Sequence, residues 1–109
     1  MIEVRKLFNP FKEDFMNCKI TEKSFSLGQV VITQAAQAQL IPEDIAHAIG
    51  RHSRGDWGDC PQGDAEENEL SLKEGFRVLS VYRDRKGTRF WIITEADRSS
   101  TTILLPEDY

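Results

Sequence analysis

Within nine residues, Arg51-His52-Ser53-Arg54-Gly55-Asp56-Trp57-Gly58-Asp59 gathers two guanidinium groups, an imidazole, two carboxylates and an indole. An imidazole titrating near neutrality can move a proton, paired arginines can hold a phosphate, and an indole can stack on a base. Each group also has a plainer use. His52 falls at i+4 and i+7 from Ala48 and Ile45, at the end of a helix's inward stripe, where it is expected to hold the loop by bonding backbone carbonyls. Arg51 and Arg54 suit the negative end of the same helix. Trp57, bracketed by glycines that permit a tight path, is expected to plug the loop onto the rest of the fold. Asp56, Asp59, Asp64, Glu66 and Glu67 do not follow the spacing of a calcium loop, and no metal or cofactor is expected.

A second polar concentration, Glu95 to Thr102, reads as a turn in which Asp97 and Ser99 serve the backbone. Arg98 is expected to pair with Asp56 or Asp59 and so tie the two motifs together. Arg51, Arg54, Asp56, Trp57 and Asp59 are the candidate binding residues. The candidate catalytic residues are His52, Arg77 and Arg98. Nucleotide-binding glycine loops, a nucleophile elbow and zinc-ligand spacings are all missing from the sequence.

The elements that must position these groups follow from periodicity. Asn9-Pro10 opens a short helix carrying Phe11, Phe15 and Cys18, and a polar linker follows. Gly28 to Thr33 reads as a brief strand. Thr33 caps the segment 34–40, and Pro42 starts a second helix with Ile41, Ile45, Ala48 and Ile49 on one stripe. Residues 53–67 read as a long ordered loop, after which Asn68 caps a single turn, Glu69 to Glu74, that Gly75 ends. Phe76 to Tyr82, Thr88 to Thr94 and Thr101 to Leu105 form a three-stranded antiparallel meander with tight connections. Residues 1–27 are thus an N-terminal helix and linker, and residues 28–109 a single α+β domain, with one extra short strand compatible with the pattern. The middle strand is apolar on both sides, so both faces need cover, from helices, from other segments or from a second copy in a homodimer.

With 109 residues, 39% of them hydrophobic and 29% charged, the chain is expected to be one globular domain. No stretch has the length and apolarity of a membrane span, and the beginning of the sequence lacks signal-peptide order, so a cytoplasmic location is expected. Two cysteines, Cys18 and Cys60, are then expected to be reduced. A net charge of −4 gives no global attraction to nucleic acid, although the basic residues cluster at 51/54 and between 77 and 89 while acids crowd 56–69.

The motifs Arg51-His52-x-x-Gly55-Asp56-Trp57-Gly58-Asp59, Asn68, Gly75-Phe-Arg-Val-Leu-Ser-x-Tyr82 and Trp91-Ile-Ile-Thr-Glu-Ala-Asp-Arg-Ser99 through Leu104-Leu-Pro106 resemble those of a family of small bacterial proteins carried on plasmids and other mobile elements. The resemblance covers residues 28–109, and the family brings no established activity with it. Two functional classes follow. One is a protein-binding or regulatory module that uses the loop and a sheet edge. The other is a metal-independent, toxin-like endoribonuclease, with His52 as base, Arg77 or Arg98 stabilising the phosphorane, and Trp57 stacking a base. The acidic balance favours the first, with another protein as partner.

Overall fold

A computed structural model describes residues 2–3 and 25–109. The helix expected from Asn9, its residue Cys18 and most of the following linker lie outside them. The chain folds as an α+β domain around a mixed sheet. Strands β1 (Ile2–Glu3), β2 (Gln29–Ile32), β3 (Val78–Arg83), β4 (Arg89–Thr94) and β5 (Ser100–Leu104) lie in the order β1-β2-β5-β4-β3. The three-stranded meander is present, with Val78↔Thr94 through Arg83↔Arg89 and Trp91↔Leu104 through Thr94↔Thr101 as antiparallel partners. It is extended by β2, which runs parallel to β5 from Gln29↔Ser100 to Ile32↔Ile103, and by β1, antiparallel to β2. A parallel neighbour some seventy positions away leaves no local mark in a sequence.

Among the described residues, two helices cover one face. In α1 (Gln34–Gln39) the Thr33 side chain accepts from Ala36 N, as its hydroxyl predicts. Pro42 opens α2 (Pro42–Ser53), whose Ile45, Ala48 and Ile49 pack with Ile32, Ala36, Leu40, Tyr82, Phe90, Ile92, Ile103 and Leu105 into the main core. Alternation on β4 sends Phe90, Ile92 and Thr94 to this face, all fully buried. Each large apolar side chain sealed there contributes about 1.5–3 kcal/mol relative to exposure.

The expected loop 53–67 and single turn from Asn68 need correction. A helix, α3 (Gln62–Glu74), begins six residues before Asn68 and ends at Gly75. Its sequence carries no apolar stripe. Its buried residues are Asn68 and Ser71, so α3 docks by hydrogen bonds more than by oil. The Asn68 amide lies against the outer edge of β3, donating to Leu79 O at 2.6 Å and accepting from Leu79 N at 3.0 Å, as a neighbouring strand would. Asn68→Ala strands Leu79 N and leaves Leu79 O with only the weak thiol bond from Cys60 at 3.3 Å. We expect a loss of about 2–4 kcal/mol in chemical denaturation, with Asn68→Asp no better because a carboxylate cannot donate to Leu79 O.

Candidate functional site

The glycine-flanked loop lies down on β3. Val81 N donates to Trp57 O at 3.1 Å, and Asp59 N donates to Val81 O at 2.6 Å. Together they make a one-residue parallel bridge at Gly58↔Val81. Tyr82 adds a phenolic bond to Asp56 O at 2.5 Å. Arg51 holds the other end, gripping Asp56 through Nε at 2.8 Å and Nη2 at 3.1 Å while lying 5.0 Å from the centre of the Tyr82 ring. That guanidinium is the chief reason the Asp56 carboxyl titrates below the usual carboxylate range.

Trp57 is the expected plug. Its indole is buried, stands edge-on to the His52 ring at 5.9 Å and donates from Nε1 to Glu69 Oε2 on α3 at 2.9 Å. Phe25 closes the other side of His52, ring centres 5.3 Å apart.

His52 is fully buried, and its partners differ from those expected. Instead of backbone carbonyls it bonds hydroxyls on the sheet, Nδ1 to Ser80 Oγ at 2.5 Å and Nε2 to Thr94 Oγ1 at 2.8 Å. Thr94 continues to Thr101 at 2.7 Å, and Thr101 donates to Leu27 O at 2.7 Å. The carbonyl at the end fixes the protons back to the ring. Thr101 must donate to it, so Thr94 donates to Thr101 and His52 donates from Nε2 to Thr94; with burial keeping the ring neutral, Ser80 donates to Nδ1. The imidazole is therefore the neutral Nε2–H tautomer. Burial, followed by the nearby charge of Arg98, pulls its pKa from 6.5 down to about 3.

Arg98 requires a second correction, because it pairs with neither Asp56 nor Asp59. Its guanidinium donates to carbonyls, Phe76 O at 2.7 Å, Glu95 O at 3.0 Å and Ser71 O at 3.2 Å, and lies over the Phe25 ring at 5.5 Å. It thereby clamps the end of α3 to the β4–β5 turn. Asp59 instead faces Arg83, at 3.6 Å between exposed side chains. Arg77 takes no part in His52's hydroxyl row; its side chain is exposed and donates to the Tyr109 hydroxyl at 2.9 Å. Arg54 closes α2, its backbone N–H bonded to Arg51 O and His52 O. Cys60 is a free thiol that donates to Leu79 O at 3.3 Å, and its pKa is raised mainly by burial.

The structure thus brings Arg51, His52, Asp56 and Trp57 together; Arg98 lies across the Phe25 ring from His52, near enough to bear on its titration but bonded to backbone carbonyls, and Arg77 is turned to Tyr109. Ser80, Thr94 and Thr101 are the members that motif reading missed. Their signal was available, since each is a hydroxyl at an inward strand position beside Phe90, Ile92 and Ile103. A base hydrogen-bonded to a serine has the composition of a nucleophilic pair. Here both are sealed from solvent and cannot reach a phosphodiester in this arrangement. Among the described residues no three His, Cys, Asp or Glu side chains are placed to hold a metal ion, and no helix is long and apolar enough to cross a membrane. Comparison with family models, curated proteins and solved structures gives no match.

Proposed function

We propose that the chain is a protein-binding or regulatory module of mobile genetic elements rather than an enzyme. One observation carries the reading. The groups able to do chemistry are consumed in holding the fold, while large apolar side chains are left in water at one end of α3. Leu70 is 52% exposed on that helix, and Phe76, just past its Gly75 cap, is 56% exposed. Around them Glu66, Glu67 and Glu74 are exposed too. Two exposed apolar side chains set among carboxylates suit a partner protein whose contact surface is apolar and basic. This replaces the loop and β3 edge as the contact surface, since both are occupied internally. The mobile-element setting rests on the motif resemblance alone.

The test uses the whole chain as bait in its native host. A single stoichiometric partner should be retained by the parent protein and by a His52→Gln variant, and lost by at least about tenfold in a Leu70→Asp/Phe76→Asp variant. Incubation with total RNA supplies the contrary outcome. Cleavage that disappears on His52→Gln would replace this reading with the ribonuclease one.

A further inference from the structure

The sheet face opposite the helices carries a second, chemically different surface. Register puts Arg83 directly across from Arg89 and Val81 across from Trp91, on the face opposite Tyr82 and Phe90; the two arginines are exposed, Trp91 is half-buried and Val81 is buried. Like charges placed opposite one another on a sheet are destabilising, so folding does not explain the Arg83/Arg89 pair. Asp59 offsets Arg83 only loosely, at 3.6 Å. Two aromatic rings lie beside these arginines. Tyr109 is 67% exposed, meets the half-buried Trp91 edge-on at 5.4 Å, and is steadied by Arg77, whose guanidinium sits 5.8 Å from its ring centre. Arg77 and Arg89 are exposed.

The geometry points to this face as a platform for single-stranded nucleic acid, with Trp91 and Tyr109 stacking bases and Arg77, Arg83 and Arg89 meeting phosphates. Unpaired bases present π-faces that a duplex hides, and an antiparallel sheet with aromatics on a central strand can receive them. An acidic peptide would also meet the arginines, but would leave the exposed tyrosine ring and its tryptophan neighbour without a flat partner. The net charge of −4 is only partly set apart from this face, since Asp59 faces Arg83 and the exposed Glu107 and Asp108 immediately precede Tyr109, with Asp108 held by the Thr33 hydroxyl at 2.7 Å. Asp64, Glu66, Glu67 and Glu74 belong to α3, beyond the outer edge of β3, and Asp44 is bound to Arg85 at 2.9 Å. The platform is independent of the Leu70/Phe76 patch; together they would let one domain join a protein to a strand.

Fluorescence anisotropy with labelled oligothymidine and oligouridine of about twelve nucleotides, at about 50 mM salt, tests the assignment on the full chain. Binding of either strand, weakening steeply with added salt, is expected. Arg89→Ala should weaken it about fivefold and lower the salt slope by about one, and Tyr109→Ala should weaken it about tenfold. The Leu70→Asp variant, changed on α3 away from Arg77, should bind as the parent does, which separates this result from the protein-contact reading. Absence of binding to both strands, tighter binding to duplex or to polyglutamate, or affinity unchanged in both the Arg89 and Tyr109 variants would overturn it.

Discussion

Gly58→Ala is expected to cost about 4 kcal/mol or more, a large share of the stability of a domain this size. A Cβ built there would lie 2.1 Å from Val81 O and 2.7 Å from the Tyr82 ring. Backbone must therefore move, and the part nearest is the bridge that fixes the loop. Gly58 also has φ +71°, where an L side chain adds roughly 1–2 kcal/mol. Moving the loop would strand Val81 N and O at the sheet edge and pull Trp57 from His52 and Glu69, adding desolvation and packing losses. Gly63→Ala is the matched control, since nothing lies within 4 Å of its Cβ and it sits in the first turn of α3. That change should be neutral or stabilising by up to about 1 kcal/mol. Denaturation midpoints for the two alanine variants check the pair. Similar midpoints would mean the loop is not held as described.

Acid should act through one residue over a defined window. His52 titrates at about 3 in the fold against 6.5 when unfolded, so the unfolded chain binds the extra proton. Stability therefore rises with pH in this range, falls as pH drops below 6.5, and stops falling on this account near pH 3. Between pH 7 and 5 the loss is about 2 kcal/mol, from 1.36 kcal/mol per unit. Asp44, Asp56, Asp97 and Asp108 are lowered as well, from 3.8, but by hydrogen bonds that favour their charged forms, so their contributions are complete above pH 4 and are lost only below it. The two effects separate by pH. His52→Gln keeps a donor and an acceptor for Thr94 and Ser80, and should flatten the profile between pH 7 and 5 while remaining folded at pH 7. Urea titrations at three pH values decide the matter. An equal slope in parent and variant would assign the acid sensitivity to another group.

How much of this was legible beforehand depended on whether a segment is held by oil or by hydrogen bonds. Strand β4 and helix α2 announce themselves because Phe90 and Ile92, or Ile45, Ala48 and Ile49, repeat with the period of the element they form. Helix α3 does not, since Asn68, Ser71 and Glu69 make its contacts through an amide, a backbone carbonyl that accepts from Arg98 and a carboxylate on an indole, and none of these has a periodic signature. Its glycine and acids instead resemble loop composition. The partners of Arg98 escaped for a related reason. Opposite charges attract attention in a sequence, whereas the carbonyls of Ser71, Phe76 and Glu95 carry no mark. His52 was placed inward correctly from spacing, yet its bonding required knowing which strand residues stand across from it, and that is tertiary information.

The outer side of β3 has a consequence for how this molecule fails. Leu79 and Val81 are bonded on that side to a side-chain amide and to a loop, not to another strand. A free strand margin is a template on which further chains can add and polymerise. Here that template is covered by pieces released through small local motions, so partial loosening of residues 56–68 should favour self-association and insoluble assemblies before the rest of the sheet melts.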